Sequence, residues 1–190
     1  DKDKYDINFT KLKEQNPDTI AWLKVNGTNV EYTVVKTNNN DYYLNHNFEK
    51  QYNEAGWIFA DYQNKFDGTD KNIVIYGHNR VDNSMFGSLK NILNAEWYNN
   101  KDNLKINLIT ENEKCIYEVF SVYQIKNEDY YIQTDFKNDT EYDKFLQTIK
   151  GRSVNDFNID LISEDNVLTL STCANNYRDR IVLHAKKIIE

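Results

Sequence analysis

Cys173 ends the run VLTLSTC, where leucines and β-branched residues give way to the polar segment ANNYRD. Alternation places Val167, Thr169, Ser171 and Cys173 on one face of such a strand and Leu168, Leu170 and Thr172 on the other, so the cysteine shares the more polar face. A packing thiol sits mid-strand among apolar neighbours, as Cys115 does in KCIYEVFSV. His78 closes a second strand-like run, NIVIYGH, behind Gly77, whose missing side chain permits close backbone approach. A thiol and an imidazole at two strand ends are the components of a Cys/His nucleophilic site if the fold brings them together. Their alternatives are a buried thiol and a loop histidine with a local hydrogen bond. Arg180 follows Cys173 by seven residues, and a guanidinium beside a thiol can stabilise the oxyanion of a tetrahedral intermediate. Arg178 in the same loop competes for that role, and either arginine also suits a solvated surface charge.

These residues need strands to position them. After the Asn-Gly turn in VNGTNVEYTVV, which reads as a hairpin, come AGWIFAD, KNIVIYGH, NLKINLIT, KCIYEVFSVYQI, NVLTLSTC and RIVLHAKKI. His184 lies within the last of these and reads as structural. In DTEYDKFLQTIKG the residues Tyr142, Phe145, Leu146 and Ile149 follow helical spacing, with Thr140 and Asp143 resembling a capping box and Gly151 suited to the end. NSMFGSLKNIL reads as a shorter helical turn. In INFTKLKEQNPDTIAWLKV, the groups Ile7, Phe9, Leu12 and Ile20, Ala21, Leu23 flank Pro17, with Asn16 before it; this predicts a helix, a break and a second short helix. No repeat or low-complexity linker divides the chain, so residues 1–190 are expected to form one domain: a helical part over 1–24, then a β-barrel or sandwich over 25–190 with a helix near 140–150.

Composition narrows the partners. With 30 acidic and 23 basic residues the net charge is -7, which removes the electrostatic footprint of a nucleic-acid binder. The longest apolar runs are short, such as IVIY at 73–76, so no span is expected, although the start DKDKYD suits an ectodomain whose membrane anchor lies in an N-terminal segment absent here. His46, His78 and His184 are dispersed and neither CxxC nor HExxH occurs, so neither metal nor cofactor is expected.

TLSTC, followed after a short loop by RIVLHAKKI, resembles the signature of the sortases, in which such a strand carries the nucleophile and an arginine opens the next. IYGHNRVDNSMFGSLKN, NPDTIAWLKVNGTNVEYTVV and NDYYLNHNF extend the similarity to class B sortases along most of the chain. The resemblance implies a mainly β fold: a closed sortase barrel of about eight strands with N-terminal helices and a long helix between the sixth and seventh strands. It assigns Cys173 as nucleophile, His78 as catalytic histidine and Arg180 as catalytic arginine. It also implies that Ser171, Thr172, Asn40, Leu44, Tyr131 and Ile132 contact the substrate peptide. Thr33 stands where relatives often carry proline, and ANNYRD is shorter than the matching loop of some class B members.

The implied activity is a Gram-positive cell-wall transpeptidase, on the outer side of the cytoplasmic membrane, that cleaves an NPxTx-like sorting signal after Thr. It would pass the acyl group from a thioacyl-enzyme to an amine of peptidoglycan or its lipid-linked precursor. The same residues would serve a cysteine peptidase ending with water. A rival of another class is a non-catalytic surface binding domain with Cys115 and Cys173 joined in a disulfide.

Overall fold

The computed structural model describes residues 5–126, 128–173 and 179–189. Its strands arise where the sequence alternates or runs apolar: β1 (Thr19–Val25), β2 (Glu31–Val35), β3 (Phe59–Ala60), β4 (Asn72–His78), β5 (Lys105–Ile109), β6 (Lys114–Ile125), β7 (Val167–Cys173) and β8 (Arg180–Ile189). Among the described residues these eight close a barrel in the order β1-β2-β3-β4-β7-β8-β6-β5. Neighbours pair antiparallel except β2 with β3 and β4 with β7, which are parallel.

Closure buries one face of each strand. Leu23, Val34, Ile75, Leu108, Leu168, Leu170 and Leu183 meet in the barrel core. Helix α3 (Asp139–Gly151), between β6 and β7, lays Tyr142, Phe145, Leu146 and Ile149 over the outer faces of Phe120, Tyr123 and Val182. Two faces are thus covered, and β7 reads as buried almost throughout. The Asn-Gly hairpin forms as expected, with Gly27 at φ +71 in the turn, a conformation that glycine adopts without strain. The helical turn expected near residue 90 is the 3-10 segment Gly87–Leu93, and a short helix α2 (Ala95–Tyr98) follows it.

The N-terminal part differs from its expected form. Helix α1 covers Phe9–Gln15, but the second short helix is absent and Thr19–Val25 is β1. Ala21, Leu23 and Val25 alternate into the core, and closing the barrel through β2 and β5 outweighs a helical spacing only a few residues long. Asn16 does not cap a new helix. It closes α1 from behind, and its buried amide donates to the Tyr43 hydroxyl at 2.8 Å and the Phe48 carbonyl at 2.9 Å. Pro17 accordingly lies past a helix end, where it blocks continuation.

The cap of α3 also shifts. Asn138 Oδ1, not the Thr140 side chain, accepts the amide of Glu141 at 2.9 Å, while Glu141 reaches back to the amide of Lys137 at 2.6 Å. Asn138→Ala should therefore cost about 1 kcal/mol, seen as a fall of roughly 2–4 °C in Tm. Thr140→Ala should leave thermal unfolding nearly unchanged; the reverse ranking would place the cap at Thr140.

Candidate active site

Strands β4 and β7 run parallel in unbroken register from Asn72↔Val167 to His78↔Cys173. Partners in such a pair face the same side, on strands about 4.8 Å apart. His78 and Cys173 therefore emerge together on the outer face at one end of the barrel. Beneath them the residues of this face, Val74 and Tyr76, pack with Phe59, Tyr43 and Phe48, and Leu44, Ile132 and Cys173 pack against that cluster. The thiol thus sits among apolar and aromatic side chains supplied by four separate loops or strands.

His78 is 5% exposed, and its Nε2 lies 2.5 Å from the carbonyl oxygen of Leu44. A carbonyl only accepts, so Nε2 carries the hydrogen and the neutral ring keeps its lone pair on Nδ1. Among the described residues Nδ1 has no hydrogen-bond partner. The imidazole is therefore held at one nitrogen and available at the other.

Two glycines make this hold geometrically feasible. Gly56, at φ +60, would place a Cβ 2.3 Å from the Tyr43 carbonyl and 2.9 Å from that of Leu44. A Cβ on Gly77 would lie 2.5 Å from Ile58 and 2.7 Å from Phe86. Gly77 was legible as a close-approach residue beside the histidine. Gly56 and the Leu44 carbonyl were not, because a backbone acceptor leaves no mark in residue type.

The ladder between β7 and β8 ends at Ser171↔Val182. Beyond it the Thr172 hydroxyl accepts the amide of Ile181 at 3.0 Å, taking the place of a strand carbonyl where the two chains part. Arg180 then opens β8, with Nη1 donating to the Tyr131 hydroxyl at 3.3 Å and the Glu128 carbonyl at 3.4 Å. Tyr131 is fully buried, and its hydroxyl also pairs with Ser171 Oγ at 2.8 Å. Deeper on the same face Thr169 lies 2.8 Å from His184 Nδ1, whose Nε2 meets the Tyr123 hydroxyl. Burial pushes His184 down to about 3, so this imidazole stays neutral and takes a structural place.

Cys173, His78, Leu44 and Ile132 thus converge at one barrel end, with Arg180 entering beside the thiol, whose ionisation its charge favours. Ser171, Thr172 and Tyr131 lie beneath this surface, with their polar atoms engaged in the protein. Asn40 is partly exposed and tied in through Asp61, which also accepts from Tyr76. Arg178, the competing arginine, lies outside the described residues. Cys115 starts β6 at the opposite end, lining a cavity of about 260 Å³ with Glu113 and Lys187, away from the convergent cluster. Both cysteines are free, which overturns the disulfide of the binding-domain reading: the barrel length separates them.

Cys173 keeps partial exposure, yet protein atoms crowd its sulfur; this burial pushes the thiol up to about 12, against the opposing pull of Arg180. The resting thiol is therefore protonated at neutral pH. In a Cys115→Ala protein, alkylation of Cys173 by iodoacetamide should rise about tenfold per pH unit from roughly pH 6 to 9, without a plateau. A plateau near pH 7 would reveal a resting thiolate instead. Gly56→Ala should press on the turn that holds His78, lowering turnover by at least about tenfold as the imidazole moves; unchanged turnover in the folded variant would show that this turn does not position it.

Residues 5–188 match the family model described as the Sortase domain. The chain is 35% identical over 183 residues to the sortase B of Staphylococcus aureus, spanning 95% of this chain and 74% of that protein. It is 36% identical over 162 residues to the sortase B of Listeria monocytogenes, spanning 85% of this chain and 65% of that one. A solved Staphylococcus aureus sortase B–substrate complex superposes with a TM-score of 0.89 at 35% identity, covering 95% of this chain and 84% of the other. With the closed barrel and a cysteine and histidine at adjoining strand ends, these similarities place the chain in the sortase family, as a sortase B-type cysteine transpeptidase.

Proposed function

We propose that this transpeptidase cleaves an NPxTx-like sorting signal after its Thr and joins the released acyl group to a peptidoglycan-type amine. The observation that carries this reading is the register of β4 on β7, which sets His78 beside Cys173 at the open barrel end. Peptide binding is supported by the similarity to a sortase solved with its substrate. The groove is assigned to Leu44, Ile132 and Asn40 at its surface, with Tyr131, Ser171 and Thr172 supporting it from below. In the intact protein an N-terminal segment would hold the domain at the outer face of the membrane; among the described residues no helix is long and apolar enough to cross one.

The steps follow from the proton inventory. His78 Nδ1 takes the Cys173 proton as the sulfur attacks the Thr carbonyl, which converts the trigonal carbon to a tetrahedral oxyanion. The guanidinium of Arg180 stabilises that charge, an interaction stronger in the transition state than with the neutral carbonyl. The imidazolium then donates its proton to the departing amine as the C–N bond breaks, leaving a thioester on Cys173. An incoming amine attacks the thioester, His78 accepts its proton, and collapse returns that proton to the sulfur. A thiol pushed up to about 12 makes the first proton transfer uphill, which predicts slow turnover.

Peptide cleavage should disappear in Cys173→Ala and persist in Cys115→Ala. His78→Ala should lose about 10² to 10⁴-fold in rate. Arg180→Lys keeps the charge but not the planar fork, so kcat should fall roughly 10² to 10³-fold, whereas Arg178→Lys should change little. The decisive measurement is kcat and KM with one NPxTx peptide and saturating amine. A near-normal Arg180→Lys beside a crippled Arg178→Lys would reassign the arginine. Product analysis with and without the amine separates transfer from hydrolysis, and hydrolysis alone at saturating amine would favour a peptidase.

A further inference from the structure

Asp61 follows β3 directly and is 3% exposed. One of its oxygens accepts the Tyr76 hydroxyl at 2.7 Å and the Asn40 amide at 3.0 Å, and the other accepts the backbone amide of Gln63 at 2.9 Å. Among the described residues it forms no ion pair. Asn40 is held from its other side as well, since its Oδ1 accepts the backbone amide of Tyr62 at 2.9 Å. Tyr76 in turn packs in the cluster against which Leu44 and Cys173 lie. One buried carboxyl group thus ties Asn40, assigned above to the groove surface, to Tyr76 in the cluster under Cys173.

Burying a carboxyl group here without a cation is costly, and that cost is offset by the three donors it accepts. Its distinguishing capacity is to accept three donors at once and so fix their directions. We propose that Asp61 is a positioning residue for the peptide groove: it locks the Asn40 carboxamide in one orientation at the rim, so that the sorting peptide meets a pre-set hydrogen-bonding edge. This rests on the function proposed above.

The hydrogen-bond inventory indicates which contact an Asp61→Asn change would break. Gln63 requires an acceptor, so the remaining oxygen stays on its side and the new amide faces Tyr76 and Asn40. Tyr76 can rotate its hydroxyl and accept. Asn40 meets a donor with a donor, and flipping it would forfeit the bond from Tyr62. The loss therefore falls on the orientation of Asn40.

The test is equilibrium binding of a fluorescent NPATA peptide to proteins carrying Cys173→Ala, so that affinity is read without turnover. Asp61→Asn should raise Kd about tenfold, the effect of one oriented hydrogen bond and the strain of its loss. Asn40→Ala should do the same, and the two together should not exceed Asn40→Ala alone, because Asp61 acts through Asn40. In the corresponding active enzymes kcat for Asp61→Asn should stay within about twofold at saturating peptide, which a general loosening of the barrel would not produce. Unchanged affinity in folded Asp61→Asn, or effects that multiply, would overturn the proposal.

Should Asp61→Asn fail to fold, Asn40→Asp changes the partly exposed partner instead and sets two carboxyl groups face to face. Its affinity should recover, relative to the unsubstituted protein, as pH falls from 8 to 5 and one proton bridges the pair; a parallel pH profile would overturn the proposal. No binding by Cys173→Ala itself, with no cleavage by the wild type, would overturn the functional reading, and this inference with it. Binding there with Asp61→Asn unaffected would remove only the role of Asp61.

Discussion

Parallel pairing of β4 with β7 is the constraint on which the site depends, because its register brings residues 78 and 173 together. The side-chain period of a strand is two, so a slip of one residue would turn Cys173 into the barrel and present Thr172 in its place. Register here is enforced from both faces. Ile75 and Leu170 fill the core on one side, while Asn72 on the other accepts the Thr169 hydroxyl and donates to the Gln133 carbonyl. Seven consecutive cross-strand partners leave no position for a bulge to absorb a slip.

Around that pair the protein uses polar groups to aim and apolar groups to enclose. Backbone carbonyls and hydroxyls hold His78 and Arg180, through Leu44 and Tyr131 respectively. Such holders carry no net charge, so they orient the working groups without neutralising them. The aromatic cluster under Cys173 has the opposite effect and withdraws the thiol from water. On the proposed mechanism the site combines a fixed base, a fixed cation and an un-ionised nucleophile, an arrangement that would develop charge only when an acyl carbon is present to receive it.

Most of this was legible where residue type reports environment. Strands from β4 to β8 were marked by alternation or by apolar runs, α3 by four apolar residues at helical spacing, and the strand-end positions of Cys173 and His78 by the sudden change from apolar to polar sequence. Misreadings fell where context outweighed pattern. The segment Thr19–Val25 has a spacing compatible with either helix or strand, and closure of the barrel decides between them. The cap of α3 depends on where the chain turns, so Asn138 and Thr140 cannot be ranked from their identities alone. Features carried by the backbone, such as the Leu44 carbonyl that orients His78, had no sequence signature. Asp61 had none: an acidic residue between the apolar run WIFA and the polar segment YQNKFDG reads as a solvated turn charge, and only the fold shows its burial.

The protonated resting state of Cys173 has a consequence for durability. Oxidants attack the thiolate far more readily than the thiol, and the first product, a sulfenic acid, is followed by forms that cannot be reversed. Crowding the sulfur with protein holds it in the less vulnerable form between turnovers. A sortase with a cell-surface role, away from cytosolic reductants, would thereby gain chemical longevity at the expense of speed. The same burial that would slow acylation would keep the proposed nucleophile intact between peptides.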